Sequence, residues 1–530
     1  IASTEFDFSK FLAYLPQHQS IQNEFIDWQH RRPAHVIMED IRAKTADIAG
    51  VSIEVTAPKR GEKRDLVDHA ATNAREALSR RLSDTASQKQ LLASLVPAVA
   101  VQGQKKTAPK KPAAKIAVTR TGKAAGDEGG TTLDNGFATD RLARIDTFMQ
   151  RYVDEQRISG AVGLVLRDGK VVYQHAVGWA DKEIGRQMTS DAIFRIASQS
   201  KSIVSAAILQ LVEQGKISLS DPVGRFIPAF DRTTVAMRTD SGRVIVPAKR
   251  RITIRDLLTH TSGYSYGTDE LVAPLYAAKG LGPAAGFGWY TADKEEPICT
   301  TMERLATLPA VAQPGQGFVY GYSLDILGCV VERVSHEPLE VYLEHHITRP
   351  LGMRDTYFFL PRGKRERLTA VYTTDSTGRV RRAPDGAKGQ GHYVDGPRAN
   401  YSGGAGLVST AFDYAKFLEC IRSGGATGNV RILAPASVRL MTNNMLGTLY
   451  SGDGAMGFGL GFETVERLGA NGFANPGAFG WGGAYGTVYR VDPKERLVIV
   501  FMMQMLPNSG ADIRARFPDL VYSAIVGEGH

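Results

Sequence analysis

Apolar residues recur every three or four positions in ATDRLARIDTFMQRYVDEQ. Leu142, Ile145, Phe148, Met149 and Val153 fall on one face, and the spacing predicts an amphipathic helix. The period then shortens. GAVGLVLRDGKVVYQHAVG predicts a β-hairpin, with Asp168-Gly169 supplying the positive φ of a tight turn. Near the other end, GTVYRVDPKERLVIVFMMQM predicts a second hairpin turning at Asp492-Pro493. The chain between is mostly helical and loop-rich. Strands at both ends with helices between predict a mixed sheet closed by the two ends of one domain, plus a helical lobe.

Ahead of this domain the pattern is different. FSKFLAYL and IQNEFIDWQH within residues 4–48, and the charged stretch Leu66–Leu95, carry helical spacing. Residues 102–130 are rich in Lys, Pro, Ala and Gly, with too few large apolar side chains to offset chain entropy. The expected organisation is a helical extension over 1–101, a basic linker over 102–134, and a main domain over 135–530. The net charge is +9 over 530 residues, of which +5 falls in residues 1–130. That density suits a solvated linker, and no nucleic-acid partner is expected. No apolar run reaches the roughly 20 residues that span a bilayer. IASTEFDFSK shows no secretory signal, so the expected location is the cytoplasm, although a start at Ile1 leaves that open. Cys299, Cys329 and Cys420 share no metal-ligand spacing, and buried free thiols are expected. H-E-x-x-H is absent, and neither a metal nor another cofactor is expected.

The candidate chemistry is Ser198-Gln199-Ser200-Lys201, the one S-x-x-K in the chain, followed by an apolar helical run to Gly215. Ser198 then sits at a helix N-terminus, with Lys201 one turn later on the same face. A serine hydroxyl is a poor nucleophile until a neighbouring base takes its proton, and a lysine one turn away can do so. The helix dipole favours negative charge at that end. Taken alone, the same residues describe a helix cap and a surface lysine.

Context decides between them. FRIASQSKSIVSAAILQLVEQGKISLSDPVGRFIPAF resembles the nucleophile segment of class C β-lactamases, penicillin-binding proteins and family VIII carboxylesterases. LTHTSG, FVYGYSLDILGCVVERVSHEPLEVYLEHHITRPLGMRDTYF, GGAGLVSTAFDYAKFL and FGWGGAYGTVYRVDPKERLVIVFMMQM resemble later blocks of the same group, in the same order. The resemblance runs from about residue 137 to the C-terminus. It implies an α/β (α+β) β-lactamase/DD-peptidase-like fold: an antiparallel sheet flanked by helices, with a helical lobe. It also implies Ser198 as nucleophile and Lys201 as its base. The group's tyrosine precedes the glycine of D-x-L-G, here Gly328, by eight residues, which selects Tyr320 over Tyr322. Tyr320 would shuttle the proton to the leaving group.

Trp481-Gly482-Gly483 occupies the place of the lactamase Lys-Thr-Gly. Trp for Lys removes a cation that would hold a carboxylate, so neutral esters are expected ahead of β-lactams. The backbone N–H groups of Ser198 and Ala484 are expected to form the oxyanion hole. Gln199, Tyr322, Trp481, Gly482 and Gly483 are expected to contact substrate. Two look-alikes are set aside. Arg120-Thr121-Gly122 resembles the third lactamase motif but precedes the nucleophile. Gly263-Tyr264-Ser265-Tyr266-Gly267 fits G-x-S-x-G but follows ITIRDLLTHTS, read as a helix ending at Gly263, rather than a strand. His260 is read as a packing residue of the loop lining the site. Tyr264, Tyr266, Tyr276, Phe287, Trp289 and Tyr290 suggest an aromatic wall over it.

The expected activity is a carboxylesterase acting on a small-molecule ester, with β-lactam turnover as a weak side activity. β-Lactamase, D-amino-acid peptidase, amidase and acyltransferase chemistry use the same machinery and are the alternatives. A binding or anchoring protein built on a degenerate hydrolase domain is the alternative of another class. Homo-oligomerisation through the N-terminal extension is the expected role of that segment.

Overall fold

The computed structural model describes residues 133–240, 242–282, 292–375, 378–387, 389–508 and 512–527. The chain separates into two units, Ile1–Gly126 and Asp127–His530, and all of the described residues belong to the second. The expected N-terminal helices, residues 102–132 of the expected linker, and Phe287, Trp289 and Tyr290 lie outside the described residues.

The amphipathic spacing forms helix α1 (Thr139–Asp154), which buries Leu142, Ile145, Met149 and also Tyr152. Phe148 and Val153 flank them half-buried. Strands β1 (Gly160–Arg167) and β2 (Lys170–Asp181) form the expected hairpin, with Asp168 at φ 52° and Gly169 at φ 72°. A short strand β3 (Arg186–Gln187) comes next. The middle of the domain holds helices α2 (Ser200–Glu213), α3 (Ile254–Leu258), α4 (Ile298–Ala306), α5 (Ser323–Ser335) and α6 (Ala411–Arg422). Then come β4 (Met456–Phe458), β5 (Glu463–Val465), β6 (Phe479–Gly482), β7 (Val488–Asp492) and β8 (Leu497–Met503), and helix α7 (Ile513–Ser523).

These eight strands form one sheet in the order β4-β5-β6-β7-β8-β1-β2-β3. Every neighbouring pair is antiparallel, as the family resemblance implies, and the mixed sheet expected from the hydrophobic pattern alone is corrected. Alternation reveals which face a residue takes but not the direction of its neighbour. The late strand β8 lies against the early strand β1, from Leu497 opposite Arg167 to Met503 opposite Ala161.

Both faces of the sheet are covered. Val162, Leu164, Tyr489, Val498 and Val500 pack toward the helical middle. Ala161, Val165, Leu497, Ile499 and Phe501 pack with Ile145, Met149, Phe517 and Val521 of α1 and α7. Helix α2, apolar on nearly every side, is buried along almost its whole length and lies inside the core.

Two further expectations are corrected. The helix expected to run to Gly263 stops at Leu258. Thr253 and Asp256 cap its start, and His260 at φ 54° turns the chain away soon after its end. Cys299 and Cys329 are not free thiols: they form a disulfide with Cα atoms 4.9 Å apart, joining α4 to α5. Packing of two helices 30 residues apart in sequence brings them together, which spacing along the chain could not show. Cys420 is free and buried, as expected.

Candidate active site

A 3₁₀ turn, Ala197–Gln199, leads into α2 and carries Ser198 at its centre. Ala197 adopts φ 43°, a left-handed conformation that costs a non-glycine residue of the order of 1–2 kcal/mol. Ser198 is 8% exposed and lines a cavity of about 530 Å³. Lys201 lies on the first turn of α2, 1% exposed.

The Lys201 amine makes three contacts. Nζ lies 3.3 Å from Ser198 Oγ, 2.8 Å from the Tyr266 hydroxyl and 2.7 Å from the Gly404 carbonyl oxygen. It also sits over the Tyr320 ring, 4.6 Å from the centroid. Gly404 is held in turn by Asp325 on α5, whose Oδ1 accepts the Gly404 N–H at 3.2 Å and the Ser402 hydroxyl. Complete burial pushes the Asp325 carboxyl up, opposed by Ser402, by Lys201 and by the Gly404 N–H. A Cβ on Gly404 would lie 2.4 Å from Asp325 Oδ2, so only glycine allows this approach.

The three residues expected to carry the chemistry therefore meet, with a fourth beside them. Tyr266, expected as part of an aromatic wall, instead touches the Lys201 amine. Its oxygen accepts from Lys201 Nζ, and burial with neighbouring Tyr320, Asp325 and Tyr322 pushes its phenol well above the ordinary range. Its position inside a misleading G-x-S-x-G hid it. Tyr264 and Tyr276 are fully buried in the lobe, donating to the carbonyls of Leu308 and Pro309.

The Tyr320 hydroxyl accepts a hydrogen bond from Trp481 Nε1 at 3.2 Å. His260 packs on the Tyr320 ring at 4.7 Å and on Phe318 and Phe458 at 5.7 Å each. Burial and the Lys201 charge hold its imidazole well below the ordinary histidine range. Phe458 meets Trp481 edge-on at 5.4 Å. The aromatic side chains lining the cavity are thus Tyr266, Tyr320 and Trp481, from three different chain segments, with Phe318 and Phe458 packed behind Tyr320 and Trp481.

Trp481, Gly482, Gly483 and Ala484 all line the Ser198 cavity. Gly483 N–H donates to Thr487 O, and Asn508 Nδ2 donates to the Ala484 carbonyl at 2.6 Å, which orients that peptide. A Cβ on Gly483 would lie 2.4 Å from the Ile196 carbonyl oxygen, so glycine is what lets this segment reach the nucleophile turn. Gln199 and Tyr322 do not line the cavity. Gln199 is fully buried, and its carbonyl accepts from the Tyr414 hydroxyl. Tyr322 precedes α5, and its hydroxyl accepts the Gly282 N–H. Ser265 is buried in a turn where its Oγ accepts the Gly267 N–H at 3.1 Å. Among the described residues no cluster of three or more His, Cys, Asp or Glu side chains could hold a metal ion, and no helix is long and apolar enough to cross a membrane.

Comparison with known proteins identifies the family. The β-lactamase family model matches residues 145–522. An uncharacterized protein of Mycobacterium tuberculosis is 34% identical over 382 residues, 68% of this chain and 90% of its own length. Esterase EstB of Burkholderia gladioli is 33% identical over 368 residues, 67% of this chain and 88% of its own. The solved structure of EstCE1, described as a hydrolase with promiscuous acyltransferase activity, superposes with a TM-score of 0.61 at 30% identity, over 74% of this chain and all of its own. A model of the UvrC ribonuclease H-like domain also matches residues 28–81, outside the described residues.

Proposed function

The chain belongs to the β-lactamase family and is a serine hydrolase of that fold, and on that premise we propose that it is a carboxylesterase that acylates Ser198. The observation that carries the reading is the Lys201 amine held by three partners at once. A neutral amine has two N–H bonds and one lone pair. Donation to Gly404 O and to the Tyr266 oxygen leaves the lone pair for the Ser198 hydroxyl proton. As Oγ attacks the ester carbonyl, its proton passes to Lys201, and the N–H groups of Ser198 and Ala484 hold the oxyanion. Tyr320 gives its proton to the departing alkoxide and regains one from Lys201. Water then attacks the acyl-enzyme by the reverse proton route.

Trp481 in the place of a cationic residue, and the relation to esterases, support esters over β-lactams. The second reading is acyl transfer, in which an alcohol replaces water in the second step. The description of EstCE1 favours it as a side reaction.

The test is turnover of p-nitrophenyl butyrate together with labelling by a fluorophosphonate probe. Ser198→Ala is expected to abolish both, and Ser265→Ala to preserve both. Activity that survives Ser198→Ala and is lost in Ser265→Ala would overturn the assignment. Absent labelling would restore the binding-protein alternative.

A further inference from the structure

A second cavity, of about 400 Å³, opens against Leu407, just after the Gly404 that holds Lys201. It shares no lining residue with the Ser198 cavity. Its floor is apolar: Leu343, Met353, Phe358 and Leu407 are all buried. Leu407 is tied to the nucleophile turn. Its N–H donates to Ser200 Oγ at 3.0 Å, and its carbonyl accepts the Ile196 N–H at 3.1 Å.

Local structure makes the room. The short helix Leu339–Leu343 runs into a π-turn, Glu344–Thr348, whose extra residue widens the backbone spiral. Thr348 ends that turn, lines the cavity and is 5% exposed. A helical threonine commonly turns its hydroxyl back onto the preceding turn. The Thr348 hydroxyl makes no hydrogen bond among the described residues and is left for an occupant.

Charge at the rim is unevenly spent. Arg349 and Glu344 pair with each other at 2.5 Å. Glu340 and Arg354 also line the cavity, and neither forms an ion pair among the described residues. Glu340 has the Tyr401 hydroxyl beside it, while the cation it feels, Arg398, gives Nη2 to the carbonyls of Leu360 and Val394. Burial pushes the Glu340 carboxyl up despite Tyr401 and Arg398, which marks an acid short of a cation. Arg354 is exposed, and its carbonyl, not its guanidinium, meets Tyr357 and Lys364. The adjacent Asp355 is taken by Lys364 and Arg367. An apolar floor, one unspent carboxylate, one unspent guanidinium and a spare hydroxyl suit a molecule that carries both charges.

We propose that this cavity binds a zwitterionic amino compound with an apolar body, an amino acid or short peptide, with its ammonium on Glu340 and its carboxylate on Arg354. The site stands apart from the esterase reading, because it uses none of the groups that reading assigns to catalysis.

Isothermal titration calorimetry on the full chain compares leucine and leucylglycine with two probes that keep one charge each, 4-methylpentanoate and 3-methylbutylamine. The zwitterions are expected to bind about tenfold tighter, or more, than either single-charge probe. Glu340→Gln is expected to remove the advantage over 4-methylpentanoate, and Arg354→Gln the advantage over 3-methylbutylamine. Thermal midpoints without ligand, and turnover of p-nitrophenyl butyrate, are expected to match the wild type in both variants. Three outcomes would each overturn the site: no binding of either zwitterion at millimolar concentration, a single-charge probe binding as tightly as leucine, or undiminished zwitterion binding in both variants. Absent ester turnover with the expected pattern in calorimetry removes the esterase reading and leaves this site standing.

Discussion

In the proposed mechanism Lys201 is the residue on which the proton balance turns, and its partners make testable demands. Tyr266 is kept a phenol by burial, since its proton is held well above the ordinary range. Its oxygen therefore serves as a hydrogen-bond acceptor for Lys201 rather than as a phenolate base. Tyr266→Phe is expected to lower kcat for p-nitrophenyl butyrate by about 10- to 100-fold with KM little changed. Tyr320→Phe is expected to lower kcat more for poor alkoxide leaving groups than for p-nitrophenoxide, because only the former need its proton. Steady-state kinetics on an aryl and an alkyl ester check both. That Ser198 and Lys201 share a helix end was legible because their spacing is local, whereas Tyr320 was selected by the family resemblance. Tyr266 was not, because it reaches Lys201 across 65 residues from an irregular loop.

Elements deliver these side chains by close approach. The nucleophile turn and the end of β6 touch at Gly483, where a methyl group would lie 2.3 Å from Thr487 Oγ1 and 2.4 Å from the Ile196 carbonyl. Gly483→Ala is expected to cost about 1–3 kcal/mol of stability and to lower kcat well beyond that of a surface Gly→Ala control such as Gly363→Ala, whose added Cβ meets nothing. Chemical denaturation and ester hydrolysis measured on the same preparations separate the two effects. Helix α5 does similar work through Asp325, which fixes the Gly404 carbonyl against Lys201. The glycine blocks GGAG and WGG were visible in the sequence. Which atom each glycine makes room for was not.

For the whole molecule, two measurements report on packing away from the cleft. Thiol titration is expected to find no reactive cysteine in the native protein and one, Cys420, after denaturation without reductant. Three are expected after reduction. Burial that pushes the Cys420 thiol up to about 12 accounts for its native silence. Glu296 ties the chain before α4 to Arg304 and Thr301, and Arg304 leads in holding its carboxyl down to about 2. A depressed folded value stabilises the protein above the unfolded carboxyl range and loses that contribution as pH falls toward 2. Glu296→Gln is expected to flatten the fall of stability between about pH 4.5 and 2, read from denaturation midpoints across that window.

By itself the sequence determined the hairpins, the amphipathic entry helix, and a serine and lysine one turn apart, because each depends on periods of two to four residues. It also determined the order of motifs that marks the family. The tertiary structure decided the order and register of the strands, the disulfide between α4 and α5, and the place of Tyr266 at the amine. It also decided which side chains share the Ser198 cavity. Each of these depends on atoms far apart in the chain. The distances between such atoms follow from packing two faces of one sheet, and no local pattern records them.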